Sequence, residues 1–475
     1  MKAGALLVSL IALMVGASPS AASDEVSSSY DPGGAAQHQM PVHPDRIPAD
    51  PEARRIWARS LAYDATIYGT MAVIQYQEMH RQAVDRTSPD YTGFNRFAHS
   101  RTLAGPGYAA FKTPNADTLY SNAWLDLTRG PVLFDVPEMG TRYFTANFID
   151  AYGNASNISA RTRGFAAGRY LIAPVGWQGT VPEGVELFRV ATPYMWVLLR
   201  VLVDGHAADI GAANTLQDGF RFTPFAGSRA DTAVEYPPAR IESALDFFRI
   251  LDFVLRSNGH PEGEEALVQR YHGIGVGGAV GLAKASEDPV VREAIAEGYA
   301  EAQTVIGRTV NQTGWPVGTW RSAVDAGRYG FNYLYRAAAA TLGAGANVSD
   351  ENYAFTTFKD GKGDALDGAQ HTYRLVLAPP PPVRFFWSVT VYDAKTRELH
   401  PNPIHRYLIS DRTPGLRRGP DGSVTIELRP HAPVKGGSAN WLPVPSGPFY
   451  LALRAQGPEP EILSGAWTPP PVEPK

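Results

Sequence analysis

The chain has 475 residues, too long for one compact core, so two or three domains are expected, and its 44% hydrophobic content excludes overall disorder. The net charge is −4 with no long run of one sign, so the sequence shows no basic face of the kind nucleic-acid binding requires, and no nucleic-acid partner is expected. Cysteine is absent, which excludes thiolate catalysis, iron–sulfur clusters and Cys-based zinc sites.

The chain opens with "MKAGALLVSLIALMVGASPSAAS". Lys2 gives a positive start, Ala5–Val15 is apolar but short for a membrane span, and Ser20-Ala21-Ala22 suits signal peptidase. A secretory leader over residues 1–22, cleaved after Ala22, is expected, with a periplasmic or secreted product. No further stretch of about 18 apolar residues occurs, so no stable membrane insertion is expected. Residues 23–49 are rich in Ser, Gly and Pro and read as a loose arm.

A helical lead-in is predicted over residues 50–109, with Asp50 as N-cap, Pro51 at the first helical position, and Ile56 and Leu61 in its apolar pattern. Over residues 110–234 short aromatic and β-branched runs, such as "TLYSNAWLDL" and "YMWVLLRVLV", are punctuated by Gly and Pro and predict a β-sandwich. Residues 235–345 return to helical spacing. Ile241, Leu245, Phe248, Leu251 and Leu255 form one stripe, and Asp288-Pro289 starts a second helix with Val291, Ile295, Tyr299, Ala302 and Ile306 on one face. Strands are predicted again over residues 346–475, including one across Arg384–Tyr392 after the proline run Pro379–Pro382. The tail "WTPPPVEPK" is expected to lie outside any sheet. The expected fold class is mixed, mainly β with a helical segment.

Two sets of motifs carry a resemblance. "TPNADTLYSNAWLDLTRGPVLFDVP", "RYFTANFIDAYGN" and "GRYLIAPVGW" resemble the bacterial domain-of-unknown-function family 1254. "PPPVRFFWSVTVYDAKTRELHPN", "DGSVTIELRP" and "NWLPVPSGPFYLALR" resemble its usual C-terminal companion, family 1214. The resemblance implies an N-terminal β-sandwich, a helical part and a C-terminal jelly-roll-like domain. It implies no activity, so the residues themselves must point to function.

Asn115, Asp117, Thr118 and Tyr120 crowd the start of a predicted strand. Such a cluster serves turn chemistry, or grips the hydroxyl groups of a ligand. Asp150, Tyr152 and Asn154 recur at every second position, followed by Arg161 and Arg163. Buried carboxylates need partners, and these arginines are the nearest in sequence. Asp117 and Asp150 are therefore candidate acid/base groups of one pocket in the first β-domain, with Asn115, Tyr120, Tyr152, Arg161 and Arg163 as candidate ligand contacts. His400 and His405 are weak metal candidates, because a third ligand such as His371, Asp393 or Glu398 would have to be brought in by folding. No redox-cofactor motif and no G-x-S-x-G nucleophile elbow occurs. The expected function is an exported enzyme acting on a small polar or carbohydrate-like molecule. The alternative is a non-catalytic ligand- or glycan-binding envelope protein. Convergence of Asp117, Asp150 and Arg161 on one concave surface would favour the first.

Overall fold

The computed structural model describes residues 47–108, 112–225, 234–278, 280–433 and 439–475. The expected leader and most of the expected arm lie outside these. Helix and strand hold nearly equal shares, 28% and 27%, so the chain is mixed α/β and not mainly β. Four sheets are present, two in each half.

The long helix Pro51–Met79 begins where its caps predict. The Asp50 side chain accepts from the Ala53 N–H at 2.8 Å, and Pro51 occupies a position whose N–H has no helical partner. Its apolar residues are not confined to one stripe, because helices Ala244–Asn258, Pro289–Thr309 and Tyr333–Leu342 surround it. Leu61 is buried as expected, whereas Ile56 is half exposed. Gly298 allows one close approach among them: a Cβ there would stand 2.3 Å from the Arg59 carbonyl oxygen. Of the two predicted stripes, Phe248, Leu251, Leu255, Val291, Ile295, Ala302 and Ile306 are buried. Ile241 falls before the helix, which starts one residue after its Ser243 cap.

In the N-terminal half, one antiparallel sheet has the order Ala98–His99, Thr118–Asp126, Tyr194–Leu202, Phe144–Ile149, Ala155–Ser159. The second sheet runs Glu186–Val190, Gly168–Pro174, Val132–Val136, Arg221–Pro224. The central strand Tyr194–Leu202 is buried on both faces. Alternation sends Val197, Leu199 and Val201, with Phe148 of the neighbouring strand, into a core shared with Phe134 and Ile172 of the second sheet. Trp196 and Leu198 point the other way, towards the helices. A helix, Ala207–Gly219, interrupts the run of predicted strands.

In the C-terminal half, Asn352–Thr357, Phe449–Pro458 and Val383–Asp393 form the middle of a six-stranded sheet. The predicted strand across Arg384–Tyr392 is thus present. The facing sheet contains Val424–Arg429 and Tyr373–Leu377. The tail does join a sheet, which corrects the expectation above: Val472–Pro474 pairs antiparallel with Tyr373–Leu375. It does so on the outside of the sheet, where proline's missing N–H leaves no ladder bond unmade, while Val472 is fully buried.

Candidate functional site

The strand mouth at Lys112–Asn115 is built by long-range bonds. Thr113 takes a left-handed backbone conformation, unusual for a β-branched residue. Its Oγ1 is 2.7 Å from Tyr450 Oη, and its carbonyl accepts from Arg454 Nη2 at 2.9 Å. Tyr392 Oη donates to the Pro114 carbonyl at 2.7 Å and accepts from Arg454 Nη1 at 2.9 Å. The Asn115 N–H donates to Tyr120 Oη at 2.9 Å. The polar cluster is therefore a latch that ties the first sheet to the C-terminal half.

The latch forms one wall of a cavity of about 1010 Å³. The other walls come from Trp196, Leu198 and Arg200 of the central strand, the segment 313–326, the turn 343–347, and the outward face of the six-stranded sheet. Six cationic side chains line it: Lys112, Arg200, Arg321, Lys359, Arg397 and Arg454. Among the described residues its lining includes no Asp, Glu or His. Lys112 is neutralised at the rim by Glu398, at 2.6 Å. Arg321 donates to the carbonyls of Gln312, Thr313 and Gly314.

Of these six, Arg200 and Arg454 are deeply buried, 8% and 7% exposed. Arg200 lies directly across from Tyr120 in the strand register, with Cζ 5.5 Å from the ring centroid, a cation–π contact. Its Nη2 donates to the Gly345 carbonyl at 2.8 Å, and its Nη1 is buried with no hydrogen-bond partner. Gly345 permits this approach: a Cβ there would meet the Trp196 and Leu198 side chains at 2.8 and 3.0 Å. Burial works against the Arg454 charge, but Tyr392, Tyr120 and Asp117 around it outweigh that and hold its pKa above the ordinary value. Thr319 Oγ1, Asn347 Nδ2 and Asn352 Oδ1, all on lining residues, are also buried without partners.

Of the residues predicted from sequence, Asn115 and Tyr120 line this cavity. The others have different surroundings, and Asp117 and Asp150 do not share a pocket. The Asp117 carbonyl accepts from the Val203 N–H, whereas Asp150 follows Ile149, which pairs with Trp196. The two acids thus sit at opposite ends of the central strand, roughly 25 Å apart at about 3.3 Å per residue. Asp117 is buried behind the latch, facing Ser388 and Arg454 without a well-formed hydrogen bond, and burial raises its pKa. Asp150 closes a turn: its Oδ1 accepts from the N–H groups of Tyr152 and Asn154, and its Oδ2 from Asn154 Nδ2. Burial raises its pKa as well. Tyr152 is buried among the helices, donates to the Gly259 carbonyl, and lies under the Arg336 guanidinium at 5.6 Å.

Arg161 and Arg163 pair with neither aspartate. Arg161 Nε donates at 2.8 Å to the fully buried Glu351, which also accepts from Tyr143 and Ser159 hydroxyls. Arg163 pairs with Glu186 at 2.6 Å. His400 and His405 belong to a loop held by Asn402, whose amide bonds the His400 and Arg406 backbones. Among the described residues no group of three or more His, Asp or Glu is placed to hold a metal ion. No helix of the described residues is long and apolar enough to cross a membrane.

Arg200 and Arg454 escaped the sequence reading, although a signal existed. Each is a lone charge inside an apolar run, "YMWVLLRVLV" and "FYLALRA", that forms a buried central strand. A charge in such a place is tolerated only with partners or for use.

The chain matches two families, each described as a protein of unknown function: DUF1254 over residues 94–224 and DUF1214 over residues 351–460. No curated protein matches it. The crystal structure of the VPA0106 protein from Vibrio parahaemolyticus is similar with a TM-score of 0.70 and 25% identity, covering 88% of this chain and all of that one. An uncharacterised protein from Burkholderia cenocepacia aligns over 90% of this chain and 89% of its own, at 13% identity and a TM-score of 0.43. Residues 94–224, in the first β-rich half, thus carry the DUF1254 region of the chain, and residues 351–460, in the second, the DUF1214 region.

Proposed function

We propose that this chain is an exported protein that binds a small organic anion in the cavity between its two halves. One observation carries the reading: six cationic side chains face a cavity whose described lining includes no carboxylate. Such a cavity concentrates anions through its field, and its buried guanidiniums reward a charged partner more than water-exposed ones do. Asn115 and Tyr120 supply ligand contacts beside Arg200 and Arg454. The binding role is preferred to the enzymatic one because neither Asp117 nor Asp150 lines the cavity. For the architecture, we read each half as a β-sandwich, the second jelly-roll-like. The supporting observations are the apolar cores that Phe134 and Val197 share across the first pair of sheets, and Leu375 and Leu453 across the second.

The test is thermal unfolding of dialysed protein at low ionic strength, with a panel of small organic anions and their neutral amides. Anions should raise the melting temperature with concentration, as binding to the native state requires, and salt should weaken the effect. Equal shifts from the neutral amides would overturn the reading. Export rests on the Lys2 start and the Ser20-Ala21-Ala22 site. N-terminal sequencing of envelope-fraction protein should give a start near Ser23, whereas intact Met1 in the cytoplasm would refute it.

A further inference from the structure

We infer that the ligand is a carboxylate carried on a flat ring, with the carboxylate between Arg200 and Asn347 and the ring against Phe358. This rests on the anion-binding reading of the same cavity and adds the chemical class.

The charged end follows from two orphaned donors. Arg200 Nη1 and Asn347 Nδ2 are both buried without partners, on side chains 8% and 6% exposed. They belong to one arrangement. Arg200 Nη2 holds the Gly345 carbonyl, Asn147 Nδ2 holds the Ala346 carbonyl at 2.8 Å, and Asn157 Nδ2 holds Asn347 Oδ1 at 3.1 Å. The turn bearing Asn347 is thus fixed against the strand face bearing Arg200. Buried donors left unmade are costly, and among the described residues no carboxylate lines the cavity beside Arg200. Two N–H donors match the two oxygens of a carboxylate.

The ring end follows from an unfinished stack. Tyr392 and Tyr450 rings stack at 5.0 Å, and Tyr450 and Phe358 at 4.5 Å with 15° between planes. Phe358 ends the stack, lines the cavity and is 42% exposed. A planar ring would cover the open face in an offset-stacked arrangement. The two ends are joined by the latch itself: Arg200 covers Tyr120, Tyr120 is bonded by Asn115, and Thr113 is bonded to Tyr450. One small molecule in a cavity of this size can meet both.

The experiment is isothermal titration of the purified mature protein with benzoate, acetate, cyclohexanecarboxylate, phenyl phosphate and benzamide. Benzoate should bind most tightly, and Arg200→Met should weaken it on the order of 10- to 100-fold. Phe358→Leu should weaken benzoate about 2- to 10-fold and leave cyclohexanecarboxylate unchanged. Asn347→Ala, which deletes one donor and no charge, is the second variant should Arg200→Met fail to fold. Acetate or cyclohexanecarboxylate binding as tightly as benzoate would overturn the ring assignment and leave the anion reading standing. Phenyl phosphate binding more tightly than benzoate would overturn the carboxylate assignment alone. Binding by none of the anions, or by benzamide as tightly as benzoate, would overturn both.

Discussion

Arg454 and Thr113 are 341 residues apart in sequence and 2.9 Å apart in space, Nη2 to carbonyl oxygen. The same guanidinium supports Tyr392, and Asp117 lies within its field. Replacing Arg454 with Met removes the donors and leaves the Thr113 carbonyl and the Asp117 carboxylate without their cation. The expected loss is about 3–5 kcal/mol, as for other broken buried charge clusters, read as a lower midpoint in urea. A midpoint within experimental error of the parent protein would show that the latch does not hold the halves together.

The Arg161–Glu351 pair separates a structural role from a ligand role. Glu351 is fully buried, and Arg161 lies outside the cavity wall. Arg161→Met should cost about 3 kcal/mol of stability, because it strands a buried carboxylate on two hydroxyl donors. Anion affinity at a temperature well below unfolding should not change. Lost affinity with unchanged stability would return Arg161 to the binding site.

Asp117 gives a pH dependence of defined sign. Burial raises its pKa above the unfolded value of about 3.9, so the native state holds its proton to higher pH than the unfolded state. Its contribution is fully present below about pH 3.9 and is lost as pH rises through the folded pKa. Asp117→Asn keeps the neutral shape at every pH. The variant should therefore gain on the parent protein as pH rises from 4 to 7, in urea midpoints taken across that range. A gap that shrinks with rising pH would mean that Arg454 fully compensates the carboxylate.

Gly298 sets two principles against each other. Alanine is the better helix former by about 1 kcal/mol, so Gly298→Ala on an open helix face would stabilise. Here the new Cβ would lie 2.3 Å from the Arg59 carbonyl oxygen and 2.8 Å from the Tyr63 nitrogen, both backbone atoms that cannot rotate away. The helices must part, and a net loss of about 1–3 kcal/mol is expected. A higher melting temperature for Gly298→Ala would show that the helix pair has slack.

Local signals in the sequence were faithful where a local cause decides the structure. Asp50 and Asp288 cap their helices, and Pro379–Pro382 leads into the strand Val383–Asp393, because caps and proline act within a few residues. Sequence proximity misled for charge pairing. Arg161 lies 11 positions from Asp150 but bonds Glu351, 190 positions away. Alternation along a strand says which residues share a face, not which strand end faces which neighbour, so it leaves a meeting of Asp117 and Asp150 open. The cavity was the least legible feature. Arg200, Asn347, Phe358 and Arg454 come from separate elements, and no spacing rule links them.

The cavity's walls also differ in when they are made. Thr113 leaves the ribosome 341 residues before Arg454, an interval of about 20 to 70 seconds at typical elongation rates. Arg200 is made 87 residues after Thr113 and 254 before Arg454, so the two buried cations of the cavity coexist only once the strand Phe449–Pro458 is being made. A molecule that needs both walls can engage only a chain that has reached Arg454.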